Sequence, residues 1–142
     1  MRNYDVAQFI AELPVPNHHM SLRTVSDAEL AHRYVEAARR RGEAIDVGDS
    51  DRANREFDEI TAIYREFKRR GKGAFDALIA SSRDRDPNVR AAVGWALVEL
   101  FPERARAILT DVATQPGLPG FSAEVTLREW ENGHLKFPDA AD

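Results

Sequence analysis

A chain of 142 residues, 31% of them charged, with no cysteine and a formal net charge of −4, is long enough for one domain with its own core. It excludes disulfides, thiolate metal sites and thiol nucleophiles together, and its acidity argues against whole-domain attraction to nucleic acid or anionic lipid. No uncharged apolar run approaches the ~18 residues of a membrane span, and Arg2 is followed by Asp5 and Glu12 instead of a secretory-signal pattern, so the expectation is a soluble, cytoplasmic protein.

Val6, Phe9, Ile10 and Leu13 recur at i, i+3, i+4 and i+7, and Pro14 and Pro16 follow directly. This predicts a short amphipathic helix and a linker over residues 1–25. Its apolar face either caps the chain's own first helix pair or docks into a groove on another chain. His18-His19 fall in the linker, where two imidazoles without a third fixed ligand make at most an adventitious metal site.

Ser26-Asp27-Ala28-Glu29 has the capping-box spacing and predicts a helix from Asp27 through Leu30, Tyr34, Ala37 and Ala38 toward Ile45, with Gly42 weakening its last turn. Asp46 to Asp51 is turn chemistry, with Asp49 or Ser50 placed to cap the next helix. Ala53, Phe57, Ile60, Tyr64 and Phe67 then form the most regular apolar stripe in the chain, ended by Gly71-Lys72-Gly73. A shorter helix is expected from Ala74 to about Ser82.

Asp86 and Pro87 supply an N-cap and a first helical position that wastes no donor. The helix they open is expected to reach Leu100. Val89, Ala92, Val93, Ala96, Leu97 and Leu100 form one stripe, and Ala91, Trp95 and Val98 lie roughly opposite, so this helix needs neighbours on both sides. Pro102 opens the next helix, with Ala105, Ile108, Leu109 and Val112 facing inward. Gln115 to Gly120 reads as a break, followed by a last helix from Phe121 to about Asn132, closed by Gly133, and a tail over residues 138–142.

Sliding the chain onto itself lays Pro87 on Pro119, Val89 on Phe121, Val93 on Val125, Trp95 on Leu127 and Glu99 on Glu131. A period of this length in a helical chain suggests stacked pairs, here 27–70, 74–100 and 102–132. The expected fold is therefore all-α, with about three stacked helical hairpins over residues 26–137.

Asp86-Pro87-Asn88-Val89-Arg90, with Ala92 to Leu100 behind it, resembles the second helix of a HEAT repeat. Gly48-Asp49 with Ala53-Asn54-Arg55, Phe57 to Ile60, Ala62 to Glu66, and Gly120 to Trp130 resemble a small bacterial family known only as domain of unknown function number two thousand and nineteen. The likeness covers about residues 26–137. It implies a HEAT or armadillo-like helical fold and brings no reaction, substrate or catalytic residue.

Chemistry-bearing patterns are sparse. Glu29 and His32 have the E-x-x-H spacing of di-iron bundles, but the second pair, Glu131 and His134, crosses the expected helix end at Gly133. A calcium loop starting at Asp49 fails at Asn54 and Ile60. No nucleophile elbow, P-loop or dinucleotide fingerprint is present. The basic runs Arg39-Arg40-Arg41 and Lys68-Arg69-Arg70 lie near helix C-termini, where cations complement the helix dipole. Trp95 and Trp130 sit in apolar helical patterns and read as packing residues. Asn54 and Asp58 form either a polar surface site or a pair bracing the neighbouring loop.

The expectation is a non-catalytic protein-interaction or adaptor module without a cofactor, with Val6, Phe9, Ile10, Leu13, Asn54 and Asp58 as partner-binding candidates. Its partner is another protein, with self-association left open. One concrete form is an immunity-like protein covering the active site of a basic toxin. The alternative is a metal-binding or enzymatic helical protein using Glu29, His32, Asn54 and Asp58. The third is a nucleic-acid-binding repeat protein.

Overall fold

Three of the helix starts are set by side chains that accept backbone donors. The computed structural model describes residues 22–142; the expectations on Val6, Phe9, Ile10 and Leu13, and on His18-His19, lie outside them. Ser26 Oγ accepts from the Glu29 N–H at 3.0 Å and opens α1 (Asp27–Asp46). Asp49 accepts from the Arg52 N–H at 3.1 Å and opens α2 (Ser50–Arg70). Between them the Asp49 N–H reaches the Ala44 carbonyl and the Gly48 N–H the Ile45 carbonyl, a Schellman closure that needs φ 75° at Gly48.

After Gly71 the chain makes a 3-10 turn (Lys72–Phe75) and a single α turn, α3 (Asp76–Ile79). The predicted helix to Ser82 is thus shorter, because the Ser81 and Ser82 amides bond to Leu78 and Ile79 in tight three-residue turns. Asp86 accepts from the Asn88 N–H at 2.9 Å and Pro87 takes the first position of α4 (Pro87–Leu97). That helix stops short of Leu100. Pro102 begins α5 (Pro102–Ala113), and the residue before a proline is driven out of helical geometry, so Phe101 sits at φ −133°, ψ 61°.

The last helix, α6 (Gly117–Glu131), begins four residues before the expected Phe121. Pro119 and Gly120 fall in its first turn, where amides have no helical acceptor, so the proline breaks nothing there. A side chain at Gly120 would place its Cβ 1.8 Å from the Gln115 carbonyl oxygen, so only glycine fits. Gly133, at φ 74°, closes α6 with the same paired bonds seen at Gly48.

The result is a helical bundle with no strand among the described residues. α1 and α2 form an antiparallel hairpin, α4 packs chiefly on α5 and also on α1, and α6 covers α5 and α4. α4 therefore has neighbours on both sides, as its two-sided apolar pattern requires, with Val89, Val93, Ala96 and Leu97 buried. The short α3 packs on α1. Val89 is fully buried whereas Phe121, which the chain overlay places on it, is 60% exposed. No helix among the described residues is long and apolar enough to cross a membrane.

Residues 138–142, expected as a tail, lie back along α2. The Ala141 N–H donates to the Arg65 carbonyl at 3.0 Å and Lys68 Nζ to the Pro138 carbonyl at 2.8 Å. Ahead of them, Phe137 packs its ring 5.8 Å from Tyr64 and 5.0 Å from Trp95, centroid to centroid.

Candidate functional site

Four helices converge on a half-enclosed cleft of about 230 Å³. α1 contributes Tyr34, Ala38, Arg41 and Gly42, at i, i+4, i+7 and i+8, and α4 contributes Asn88, Ala91, Ala92 and Trp95 at the same kind of spacing. α2 adds Phe57 and Ile60; α6 adds Pro119, Ser122 and Thr126. The second apolar side of α4 is thus turned partly to this cleft.

Two details set its shape. Gly42 continues α1 without a side chain, and a Cβ there would lie 2.4 Å from Asn88 Nδ2, so the glycine admits the start of α4 against α1. The Tyr34 hydroxyl donates to the Ala92 carbonyl at 2.6 Å and ties α1 to the middle of α4. Burial pushes this phenol far above its ordinary range, and it stays a donor. Trp95 packs against Tyr64 at 4.9 Å and Phe137 at 5.0 Å while lining the cleft, so it is a packing residue, as expected, and also a wall.

Arg41 dominates the electrostatics. Its Nε is buried without a hydrogen-bond partner, its guanidinium lies 5.3 Å from the Phe57 ring centroid, and none of its ion pairs is found among the described residues. Burial lowers its pKa, opposed by Tyr34, but a guanidinium stays charged across any ordinary pH. The other members of the two basic runs are neutralised. Arg39 forks onto Asp84 at 3.3 and 3.1 Å, Arg40 meets Glu56 at 3.0 Å, Lys68 meets Glu99 at 2.8 Å, and Arg69 and Arg70 converge on Glu66 at 2.7 and 2.8 Å.

Among the described residues no carboxylate lines the cleft. The side-chain amide of Asn88 and the hydroxyl of Ser122 make no hydrogen bond among the described residues, while Thr126 Oγ1 donates to the Ser122 carbonyl at 3.0 Å. The lining holds neither a pair of acids nor a nucleophile beside a base. The described lining offers one cation, the side chains of Asn88 and Ser122, and the apolar side chains of Phe57, Ile60 and Trp95, groups of the kind that bind small molecules.

Asn54 and Asp58 are exposed on α2, one turn before and one residue after Phe57. No hydrogen bond joins them, so the bracing-pair account is set aside. Glu29 pairs with Arg33 at 3.2 Å and His32 is exposed. Glu131 lies 3.8 Å from Arg106, and His134 lies 3.8 Å from Glu129. Among the described residues no group of three or more histidines or carboxylates could hold a metal ion. The Arg106 guanidinium lies over Trp130, 4.4 Å from the indole ring centroid.

The sequence reading missed Arg41 because it stood inside a run of three arginines. A signal was there: Tyr34, Ala38 and Arg41 share one face of α1, so the third arginine falls on the apolar stripe and the first two do not.

No protein-family model matches the chain, and no curated protein or solved structure matches it significantly.

Proposed function

We propose that this chain is a non-catalytic binding module: a stack of helical hairpins of HEAT or armadillo-like type, belonging to the bacterial family its motif phrases resemble, that meets a cytoplasmic protein partner around the mouth of the cleft. One observation carries the reading. Five large apolar side chains are exposed among the described residues, and three of them, Phe57, Leu118 and Phe121, sit on α2 and α6, two of the four helices that form the cleft. Aromatic side chains beside an arginine are the groups in which interface energy concentrates. Asn54 and Asp58 border Phe57 and supply polar rim contacts. The net charge of −4 suits a basic partner, which fits the immunity-like form of the proposal.

The test is affinity capture from the native organism with wild type, Phe57→Ser, Phe121→Ser and, as control, Leu100→Ser, which alters an exposed apolar residue outside the cleft lining. A partner held by wild type and Leu100→Ser and lost by both Phe57→Ser and Phe121→Ser supports the reading. A partner held equally by all four, or turnover of a substrate by the purified protein, overturns it.

A further inference from the structure

We infer that the cleft is a binding site for a small carboxylate carried on a flat or branched apolar body, with Arg41 as the group that grips the anion. The inference needs no protein partner and goes beyond the adaptor reading.

Charge and burial point to an anion. A half-buried guanidinium is costly to keep without a counter-charge, and the Phe57 ring offsets only part of that cost. Among the described residues Asp84 and Asp86 are engaged with Arg39 and Glu56 with Arg40, and no carboxylate belongs to the lining. A ligand carboxylate meeting the guanidinium fork makes two charge-assisted bonds at once. The Asn88 amide and the Ser122 hydroxyl are further donors on the same lining.

The single cation selects a monoanion. A phosphate ester would bring a second negative charge into a cleft whose described lining holds one arginine and no other cation, leaving that charge without a counter-ion. Size selects a small body. An apolar cavity of roughly 150 Å³ admits benzene, and drug-sized sites begin near ~300 Å³, so about 230 Å³ suits one ring or a branched chain with a short acidic arm. Trp95, Ile60 and Phe57 supply the walls for it.

The experiment titrates the full chain with indole-3-acetate, its neutral amide indole-3-acetamide, phenylacetate, isovalerate and acetate, followed by 1H–15N NMR. Saturable shifts are expected at Arg41, Gly42, Asn88 and the Trp95 indole N–H. The acid should bind at least tenfold more tightly than its amide, and acetate, lacking the apolar body, at least tenfold more weakly than indole-3-acetate. Arg41→Gln should erase the preference for acid over amide. The inference is overturned by equal affinities for acid and amide in wild type, by a preference that survives Arg41→Gln, by no saturable shift with any of the three larger acids, or by shifts centred on the more open arginine cluster of Arg83, Arg90 and Arg104. The acid-to-amide ratio in wild type decides the matter even if the variant fails to fold, and neither result depends on whether a protein partner is captured.

Discussion

The α1/α2 hairpin carries a half-buried arginine at each end, and the two are treated in opposite ways. At the end where α2 finishes, Arg70 is saturated: Nε meets Glu66 at 2.8 Å, one terminal nitrogen meets Asp27 at 2.8 Å, and the other meets the Leu22 carbonyl at 2.7 Å. Glu66 is itself almost fully buried, and it also receives Arg69. At the other end Arg41 sits over an aromatic ring with no carboxylate. The first end spends its charge on holding the chain segment before α1, the start of α1 and the end of α2 together. The second leaves its charge facing a cleft. Unequal pairing separates an arginine that ties the scaffold together from the one that the proposed ligand would meet.

The largest expected effect lies at the paired end. Glu66→Gln leaves two guanidinium groups facing a neutral amide and is expected to cost about 3 kcal/mol of stability, the usual scale for removing one partner of a buried ion pair, measured as a drop in the urea midpoint at pH 7. A loss below about 1 kcal/mol would show that Arg69 and Arg70 find solvent instead, and that the two ends differ less than their geometry indicates. The acid limb of stability should change too. The hydrogen bond from Arg69, then that from Arg70, holds the Glu66 carboxyl below its ordinary value, against a burial effect that raises it. Its stabilisation is therefore complete above the unfolded glutamate pKa of about 4.3 and is lost as pH falls through the lower folded value. Urea midpoints of wild type and Glu66→Gln should converge as pH is taken down through that window.

Much of this architecture is legible in the sequence because local chemistry sets it. Ser26, Asp49 and Asp86 mark three helix starts, and the glycines at 48 and 133 mark two helix ends by backbone requirement alone. Where the reading fails, a neighbour decides. Phe57 belongs to the best apolar stripe in the chain, yet it is 45% exposed, because none of the described helices covers α2 at that position and its ring meets Arg41 beside the cleft. α6 starts early because Pro119 is harmless in a first turn and Gly120 is required by the Gln115 carbonyl, a contact that no pattern of single residues announces. The cleft was invisible for the same reason. Tyr34, Phe57, Asn88 and Ser122 come from four helices, and only packing brings them to one place.

A middle-sized effect tests how the unpaired end is shaped. Gly42→Ala puts a Cβ within 2.4 Å of Asn88 Nδ2, and overpacking of this kind typically costs ~1–3 kcal/mol. Because the nearest obstacles are the Asn88 side-chain atoms beyond Cβ, the double variant Gly42→Ala with Asn88→Ala should recover part of the loss, the Asn88 Cβ at 3.0 Å remaining as a tight contact. A double-mutant cycle by urea denaturation reads the coupling between the two sites. Additive losses would mean that α1 and α4 approach for another reason.

The smallest effect is expected at Arg41 itself, and it is the one that most sharpens the contrast. Arg41→Gln removes a cation–π contact worth ~0.5–1 kcal/mol and the packing of a long stem, but it also removes a half-buried charge whose Nε has no hydrogen-bond partner and which pairs with no carboxylate among the described residues. The two changes oppose each other, so the urea midpoint should move by less than about 1 kcal/mol in either direction. Removing one charge would then differ several-fold in cost between the two ends of the hairpin. A loss at Arg41 comparable to that at Glu66 would instead make Arg41 part of the scaffold, and the cleft would lose its claim to a charge held for a ligand.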